Sequence, residues 1–399
     1  MRKLLWFSKI KGTSSFARVT KSMLKELVPY YDITIISDEP YPGTKFIKVL
    51  DDTPALKYAD FVETWAVERH SIKHSLEMNM KYIIFQILEE LKSSDYNAFV
   101  LLNGIYEADF YTNILGNFNL PKFIVWTPFD FRPELNMVSN LLKADIIFTM
   151  SKSSLKDIKQ FTDKRVYLLE HGHEIGEITR EVTYNDILNI IKKVPFNSNH
   201  LKESDIVILN ANDAVARKQL LLSVKAFLKY SSNNNTGVKL WLHTNMTKLD
   251  TDIKILLNQN KDHVIVTHNN ISDDELRMIY SWCKIGLQTS SGEGFSMTNI
   301  EHAAHGALQI VPNFLATGDH FKNRGILIPV KEVKVSSEIQ GRNVTVASID
   351  IDDVVSCISK AVDTIISGDK SLINKSVEYA KSFTWSSIAK KFMEIENAQ

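Results

Sequence analysis

Short apolar runs, each bounded by polar residues and separated by amphipathic stretches, constrain the fold of this chain more than any other feature. KLLWF (3–7), ITIIS (33–37), FVLLN (99–103), FIVWT (123–127), IIFTM (146–150) and VYLLE (166–170) read as strands. Between them, SFARVTKSMLKEL (15–27) and EMNMKYIIFQILEELK (77–92) carry helical periodicity. Strands that are apolar throughout are covered on both faces, and strands alternating with helices build βαβ units around a parallel sheet. The rhythm loosens over 174–203, which holds Pro195. It restarts with DIVILN (205–210), KLWLH (239–243), VIVTH (264–268), IGLQTS (285–290) and LQIVP (308–312), with helices expected at 217–230, 273–282 and 297–305. A length of 399 residues suffices for two cores. The expected fold class is therefore α/β, with two Rossmann-like doubly wound domains at 1–185 and 200–382 facing across a cleft. Ligands of such sheets bind outside the carboxyl ends of the strands.

Charge excludes some partners. Lys+Arg and Asp+Glu both number 47, so no overall basic field argues for nucleic acid. The local exception is Arg2, Lys3, Lys9, Lys11, Arg18, Lys21 and Lys25 against Glu26, seven minus one or +6. That stretch suits phosphates, peripheral contact with an anionic membrane surface, or a solvated helix face. Cys283 and Cys357 do not make a disulfide framework, which points to a reducing compartment. MRKLLWFSKIKG starts like a signal peptide, but its apolar part is short and broken by Lys9 and Lys11. No run approaches the ~18–20 apolar residues of a spanning helix. The expectation is a cytoplasmic protein.

Residues 290–306, SSGEGFSMTNIEHAAHG, follow one expected strand and precede another, so they form a strand-to-helix turn at a sheet's carboxyl edge. Gly292 and Gly294 allow positive φ and a close backbone approach. Ser296 reads as the N-cap, with Asn299 three residues on, and Gly306 as the C-terminal stop. The helix mouth then offers N–H groups from Gly294, Phe295, Ser296, Met297 and Thr298 to an anion. Glu293 stands just before that mouth and Glu301 one turn inside the helix. Ionised carboxylates only accept hydrogen bonds, so both suit hydroxyl groups. A diphosphate between two polyols, a nucleotide sugar, fits the pattern.

The stretch resembles the pattern S-x-x-EGFG-x-x-x-x-EAMA-x-G-x-PV of retaining, family-4-type glycosyltransferases with the GT-B fold. Ser290, Glu293, Gly294, Phe295, Glu301, Ala304 and Gly306 match it. Ser296 stands for the last glycine of EGFG, His302 for alanine, and Leu308-Gln309 for Pro-Val; the last two are expected to touch a packing turn rather than the ligand site. DIVILNANDAVARKQLLLSVKAF places Lys218 where the family has its phosphate-binding lysine and Asp213 where it has an arginine, with Arg217 as the substitute charge. GTSSFARVT, with Gly12, resembles the acceptor-side loop. WTPFDF resembles an inter-domain stretch ending in an acid, Asp130, which equally suits a helix cap after Pro128. LLEHGHE, with His171, resembles the family's H-G-V-D. FTWSSIAKKFMEI (383–395) looks like the closing helix that crosses back to the first domain, here within 383–399.

The resemblance implies sugar transfer from a GDP- or UDP-sugar to a glycan, lipid or small-molecule acceptor, with no cofactor and no metal. Glu293, Lys218 and Arg217 would be catalytic. Gly294 to Thr298 and Glu301 would bind the donor, and Gly12, Asp130 and His171 would stand on the acceptor side. The alternatives are a nucleotide-sugar epimerase or hydrolase on the same fold, or a degenerate, non-catalytic binding partner. The groups His171, His173, Glu174 and Glu301, His302, His305 contain metal-ligand residue types. Yet Glu-His-x-x-His is not the zincin order, and structural histidines are the simpler reading. Residues around His268 and Asn245 would choose base and sugar.

Overall fold

The apolar runs form two separate parallel sheets in the computed structural model. It describes the chain except residues 11–13, 38–45, 48–55, 61–83, 86, 90, 134, 174–180, 194–200, 235–236, 269–270, 337–342 and 399. The first compact unit comprises Met1–Phe129, Pro133–Gly172 and Thr384–Gln399; the second comprises Asp130–Arg132 and His173–Phe383.

In the first unit, β1 (Arg2–Phe7), β2 (Tyr31–Ser37), β3 (Phe46–Ile47), β4 (Leu56–Asp60), β5 (Ala98–Leu102), β6 (Lys122–Trp126), β7 (Ile146–Thr149) and β8 (Arg165–Leu168) form one sheet. Its order is β3-β4-β2-β1-β5-β6-β7-β8, parallel except for β3 against β4. The chain runs outward in both directions from β1 and β5, which makes the carboxyl ends of that pair the switch point. Leu4, Leu5, Trp6 and Phe7 are buried, as is all of β5, as apolar-throughout strands require.

The chain's last helix, Trp385–Asn397, completes this core. Thr384 caps it, accepting from the Ser387 N–H at 3.2 Å. Phe392 is fully buried, its ring 6.2 Å from Trp6 and 5.8 Å from Phe148. Glu396, also buried, accepts from Arg2 at 2.5 Å and from the Tyr31 hydroxyl at 2.9 Å. One cation of the basic N-terminal stretch is thus matched by an acid from the other end of the sequence.

In the second unit, β9 (Ile206–Ala211), β10 (Val238–His243), β11 (Val264–Thr267), β12 (Ile285–Leu287), β13 (Leu308–Pro312) and β14 (Ile326–Ile328) form an all-parallel sheet ordered β11-β10-β9-β12-β13-β14. Here β9 and β12 carry the switch point. Helices Leu220–Asn233 and Ile351–Ser367 cover one face, where Val224, Phe227, Val354 and Ile358 meet Ile208, Leu240 and Ile310. Helices Tyr184–Lys192 and Asp273–Trp282 cover the other, around Trp241 and Ile279.

Some expectations shift. The helix expected at 217–230 begins at Leu220, because Gln219 takes a left-handed φ of 48° and separates it from a 3-10 turn at Ala216–Lys218. The helix expected at 77–92 lies largely outside the described residues. The antiparallel pair β15 (Glu332–Ser336) and β16 (Val344–Ser348) is unforeseen. Among the described residues, no helix is long and apolar enough to cross a membrane.

Phe392→Ala should lower the stability of the first unit by about 3–5 kcal/mol, the usual result of emptying a buried aromatic site. Urea unfolding followed by tryptophan fluorescence checks this, because Trp6 lies against the lost ring.

Candidate functional site

The loop from Gln288 to Ser296 leaves the switch-point strand β12 and enters the helix Met297–Ala304. Two close approaches shape it. Gly286 lies opposite Gln309 in the β12–β13 register, and a Cβ there would stand 2.2 Å from Gln309 Oε1. A Cβ at Gly292 would stand 2.1 Å from the Asp130 carbonyl oxygen. Gly292 therefore serves close packing and not positive φ. Among the described residues, the positive-φ glycines are Gly306 and Gly368, so Gly292 and Gly294 do not use the positive φ open to them.

The left-handed residue in the loop is Ser296, at φ 71° and ψ 56°. It occupies the position where the resembled pattern has glycine, and such a conformation costs a residue with a Cβ roughly 1 kcal/mol. The expected N-cap role fails for the same reason: an N-cap side chain reaches the helix amides from extended backbone, and Ser296 makes no such bond. Its hydroxyl lies 2.9 Å from Gln288 Oε1 and 2.8 Å from Asn299 Oδ1.

Glu293, 4% exposed, is the centre of the cluster. Its Oε1 accepts from Lys218 Nζ at 2.6 Å, Ser290 Oγ at 2.6 Å and Gln288 Nε2 at 2.8 Å, and pairs with Arg217 Nη1 at 2.9 Å. Burial alone would push this carboxyl up. Arg217 and Lys218, followed by the hydrogen bonds from Lys218 and Ser290, outweigh it and hold the pKa at about 2. Burial pulls the Lys218 ammonium below its ordinary value despite Glu293 beside it.

Arg217 also donates to the Gly292 carbonyl at 2.7 Å and pairs with Asp130 Oδ2 at 3.0 Å. The other oxygen of Asp130 accepts from the Gly294 N–H at 2.9 Å. Asp130 thus caps no helix after Pro128; it takes the first amide of the expected anion site. Two cations and two acids make the cluster neutral.

Glu301, 4% exposed, accepts from the Tyr280 hydroxyl at 3.3 Å. His302 stacks on Tyr280 with ring centroids 5.3 Å apart and shares a 2.8 Å hydrogen bond with the Cys283 carbonyl, which requires Nε2 to carry the proton. Burial lowers the His302 pKa to about 3, so the ring is neutral. His305 Nδ1 donates to the Glu301 carbonyl at 2.8 Å. Met297 and Thr298 are partly exposed at the helix mouth, whereas Phe295 packs edge-on against His320 and Phe383 and anchors the loop.

The remaining expected residues scatter. Asp213, in the arginine position, pairs with Lys248 at 2.9 Å. His171 belongs to the first unit, buried between Trp126 and Trp385, and burial lowers its pKa to about 3. His173 Nε2 lies 2.7 Å from the Ala380 carbonyl. Gly12 and Glu174 lie outside the described residues. Among the described residues, no group of three or more His, Cys, Asp or Glu is placed to hold a metal ion.

Gln288 and Gln309 were not expected at the site, and Asn299 only as a companion to the Ser296 cap; all three are buried and hydrogen-bonded to one another or to Glu293. Gln309 was assigned to a packing turn with Leu308. Its Oε1 instead accepts from Asn299 Nδ2 at 2.8 Å, one step from Ser296. The available signal was a glutamine inside each of two apolar runs, LQTS and LQIV. Asn103 was also overlooked. It follows β5 at the first unit's switch point, 1% exposed; its Oδ1 accepts from the Gly104 N–H at 3.1 Å, and its Nδ2 has no hydrogen-bond partner among the described residues.

No family model matches the chain, and no curated protein sequence matches it. Solved structures do resemble it. An E. coli trehalose-6-phosphate protein bound with UDP-2-fluoro glucose has a TM-score of 0.71 at 10% identity, covering 100% of this chain and 99% of that one. Sucrose-phosphate synthase from Thermosynechococcus elongatus has a TM-score of 0.71 at 13% identity, covering 99% and 98%. The alpha,alpha-trehalose-phosphate synthase (UDP-forming) from Burkholderia xenovorans in complex with glucose-6-phosphate has a TM-score of 0.67 at 11% identity, covering 100% of both. The shared fold is GT-B, along the whole chain.

The low pKa of Glu293 has a consequence for acid stability. Its folded value of about 2 lies below the ordinary 4.5, so its contribution is complete above about pH 4.5 and is lost as pH falls through 2. Glu293→Gln should be less stable at pH 6, and its urea midpoint should fall less than that of the wild type between pH 5 and pH 3.

Proposed function

We propose that this protein is a glycosyltransferase that moves a sugar from a nucleoside-diphosphate sugar to an acceptor, with retention of configuration and without a metal ion. One observation carries this reading: Lys218 and Arg217 converge on Glu293, 2.6 and 2.9 Å away, at the carboxyl edge of the second unit's sheet. Two motifs some 75 residues apart in sequence thereby form one site, beside a helix mouth where Met297 and Thr298 remain partly exposed.

In this reading a donor binds by exchange of partners. Its diphosphate takes the Gly294 N–H and Arg217 from Asp130, and Lys218 adds a second positive charge. Glu301, steadied by Tyr280, accepts from the ribose hydroxyls, and Glu293 accepts from a sugar hydroxyl. Thr244, whose buried hydroxyl has no hydrogen-bond partner among the described residues, lies just after β10 and would meet the base.

As the bond from the sugar's anomeric carbon to the diphosphate breaks, charge grows on the leaving oxygens, and Arg217, Lys218 and the loop amides stabilise it. The acceptor oxygen bonds to that carbon from the same face. Its proton passes to the departing diphosphate. A UDP-sugar is the first donor to test, since two similar proteins are described with UDP-2-fluoro glucose or as UDP-forming, and a sugar phosphate is the first acceptor.

The pairing of Asp213 with Lys248 favours a second reading, a binding protein without turnover. An epimerase or hydrolase would consume donor with no acceptor present. Mass spectrometry of UDP- and GDP-sugars, with and without sugar phosphates, separates these: acceptor-dependent release of nucleoside diphosphate is expected. Lys218→Ala should lower turnover by about 10²–10³-fold, the loss typical of a charge-stabilising donor. Glu301→Ala should weaken nucleoside diphosphate binding about tenfold or more. Wild-type activity in both variants would contradict the site assignment.

A further inference from the structure

Glu293 receives Lys218, Arg217, Ser290 and Gln288 all on Oε1, and Oε2 has no partner among the described residues. Gln288 Nε2 also reaches Ser290 Oγ at 3.0 Å and Asn212 Oδ1 at 3.4 Å, and a line of hydrogen bonds fixes the other end of its amide. At its far end the Ala307 carbonyl can only accept, so Gln309 presents Nε2 to it, at 3.2 Å. Gln309 Oε1 must then face Asn299 Nδ2, and Asn299 Oδ1 must face Ser296. At the near end the Glu293 carboxylate can only accept, so Gln288 presents Nε2 to it and turns Oε1 toward Ser296. Two amide oxygens therefore converge on one hydroxyl, at 2.8 and 2.9 Å, and the Ser296 hydrogen is the donor between them.

Two members of this line are departures from the resembled family pattern: Ser296 stands for glycine and Gln309 for valine. Gly286, whose Cβ would collide with Gln309, gives that side chain its space. The left-handed strain at Ser296 is retained at a position where glycine would remove it.

We infer that Ser296, Asn299 and Gln309 are positioning residues that fix the Gln288 amide, and through it hold Glu293 with Oε2 turned to the substrate as the acceptor for a sugar hydroxyl. The inference rests on the nucleotide-sugar reading of the site. With glycine at 296, two amide oxygens would face each other without a donor. Gln288 Oε1 would then have no donor, and the amide's orientation would rest on Nε2 alone, which loosens its hold on the carboxylate. The effect falls on the sugar more than on the nucleotide: Glu301 and Tyr280 do not touch the relay, Lys218 meets it only at Glu293 Oε1, where Ser290 and Arg217 also hold, and the backbone N–H of residue 296 is kept in both variants below.

The test is isothermal titration of wild type, Ser296→Gly and Ser296→Ala with UDP, UDP-glucose, GDP and GDP-mannose. Both variants should bind the preferred nucleotide-sugar about tenfold more weakly, as expected for losing one oriented bond to a charged group, while the free diphosphate changes less than about twofold. Adding Gln309→Val to Ser296→Gly releases Asn299 to turn its Nδ2 toward Gln288, so the double variant should recover part of the loss. Variants equal to wild type on the nucleotide-sugar, or equal losses on the sugar and the free diphosphate, overturn the relay. A wild type that binds none of the four probes overturns the nucleotide-sugar reading and the relay with it.

Discussion

A carboxylate that is 4% exposed stays charged only where cations meet it, and Glu293 has Lys218 at 2.6 Å and Arg217 at 2.9 Å. Removing one member of such a set leaves an uncompensated buried charge, which is far costlier than the set is stabilising. The contacts around it follow from that constraint. Gln288 and Ser290 fill the remaining donor positions around Oε1, Gly292 admits the Asp130 backbone, and Asp130 balances the second valence of Arg217. The loop after β12 is thereby fixed by charge and hydrogen bonding, where regular secondary structure has ended.

The first unit is organised differently. Its core is closed by the chain's last helix through apolar contact, with Phe392 against Trp6 and Phe148, and one buried acid, Glu396, shared by Arg2 and Tyr31. A segment more than 200 residues distant in sequence from the strands it covers is therefore part of their fold. Asn103 at the switch point stands apart from this apolar packing, its buried Nδ2 without a hydrogen-bond partner among the described residues.

Much of this was legible in the sequence, because burial on both faces writes itself into strands as unbroken apolar runs. KLLWF, FVLLN and DIVILN fall within a residue or two of β1, β5 and β9. The glutamate pair was visible because glycines and a strand boundary surround it, and Lys218 because of its place after β9. What stayed hidden was tertiary. No local rule places a serine in the left-handed region at 296, since the deciding partners, Gln288 and Asn299, are defined by the folded loop. Gln309 looked like part of a turn because its role depends on the register of β13 against β12. Asp130 reads as a helix cap until its distant partners Arg217 and Gly294 are known.

The most direct measurement of the central claim is a crystal structure of the wild-type protein with UDP-glucose, or with whichever nucleotide-sugar it turns over. The account predicts the diphosphate between Lys218, Arg217 and the Gly294 amide, with Asp130 displaced from that amide and a sugar hydroxyl within hydrogen-bonding distance of Glu293 Oε2. A nucleotide bound elsewhere on the second unit, or a sugar that leaves Glu293 Oε2 uncontacted while Lys218 and Arg217 keep their present partners, would contradict it.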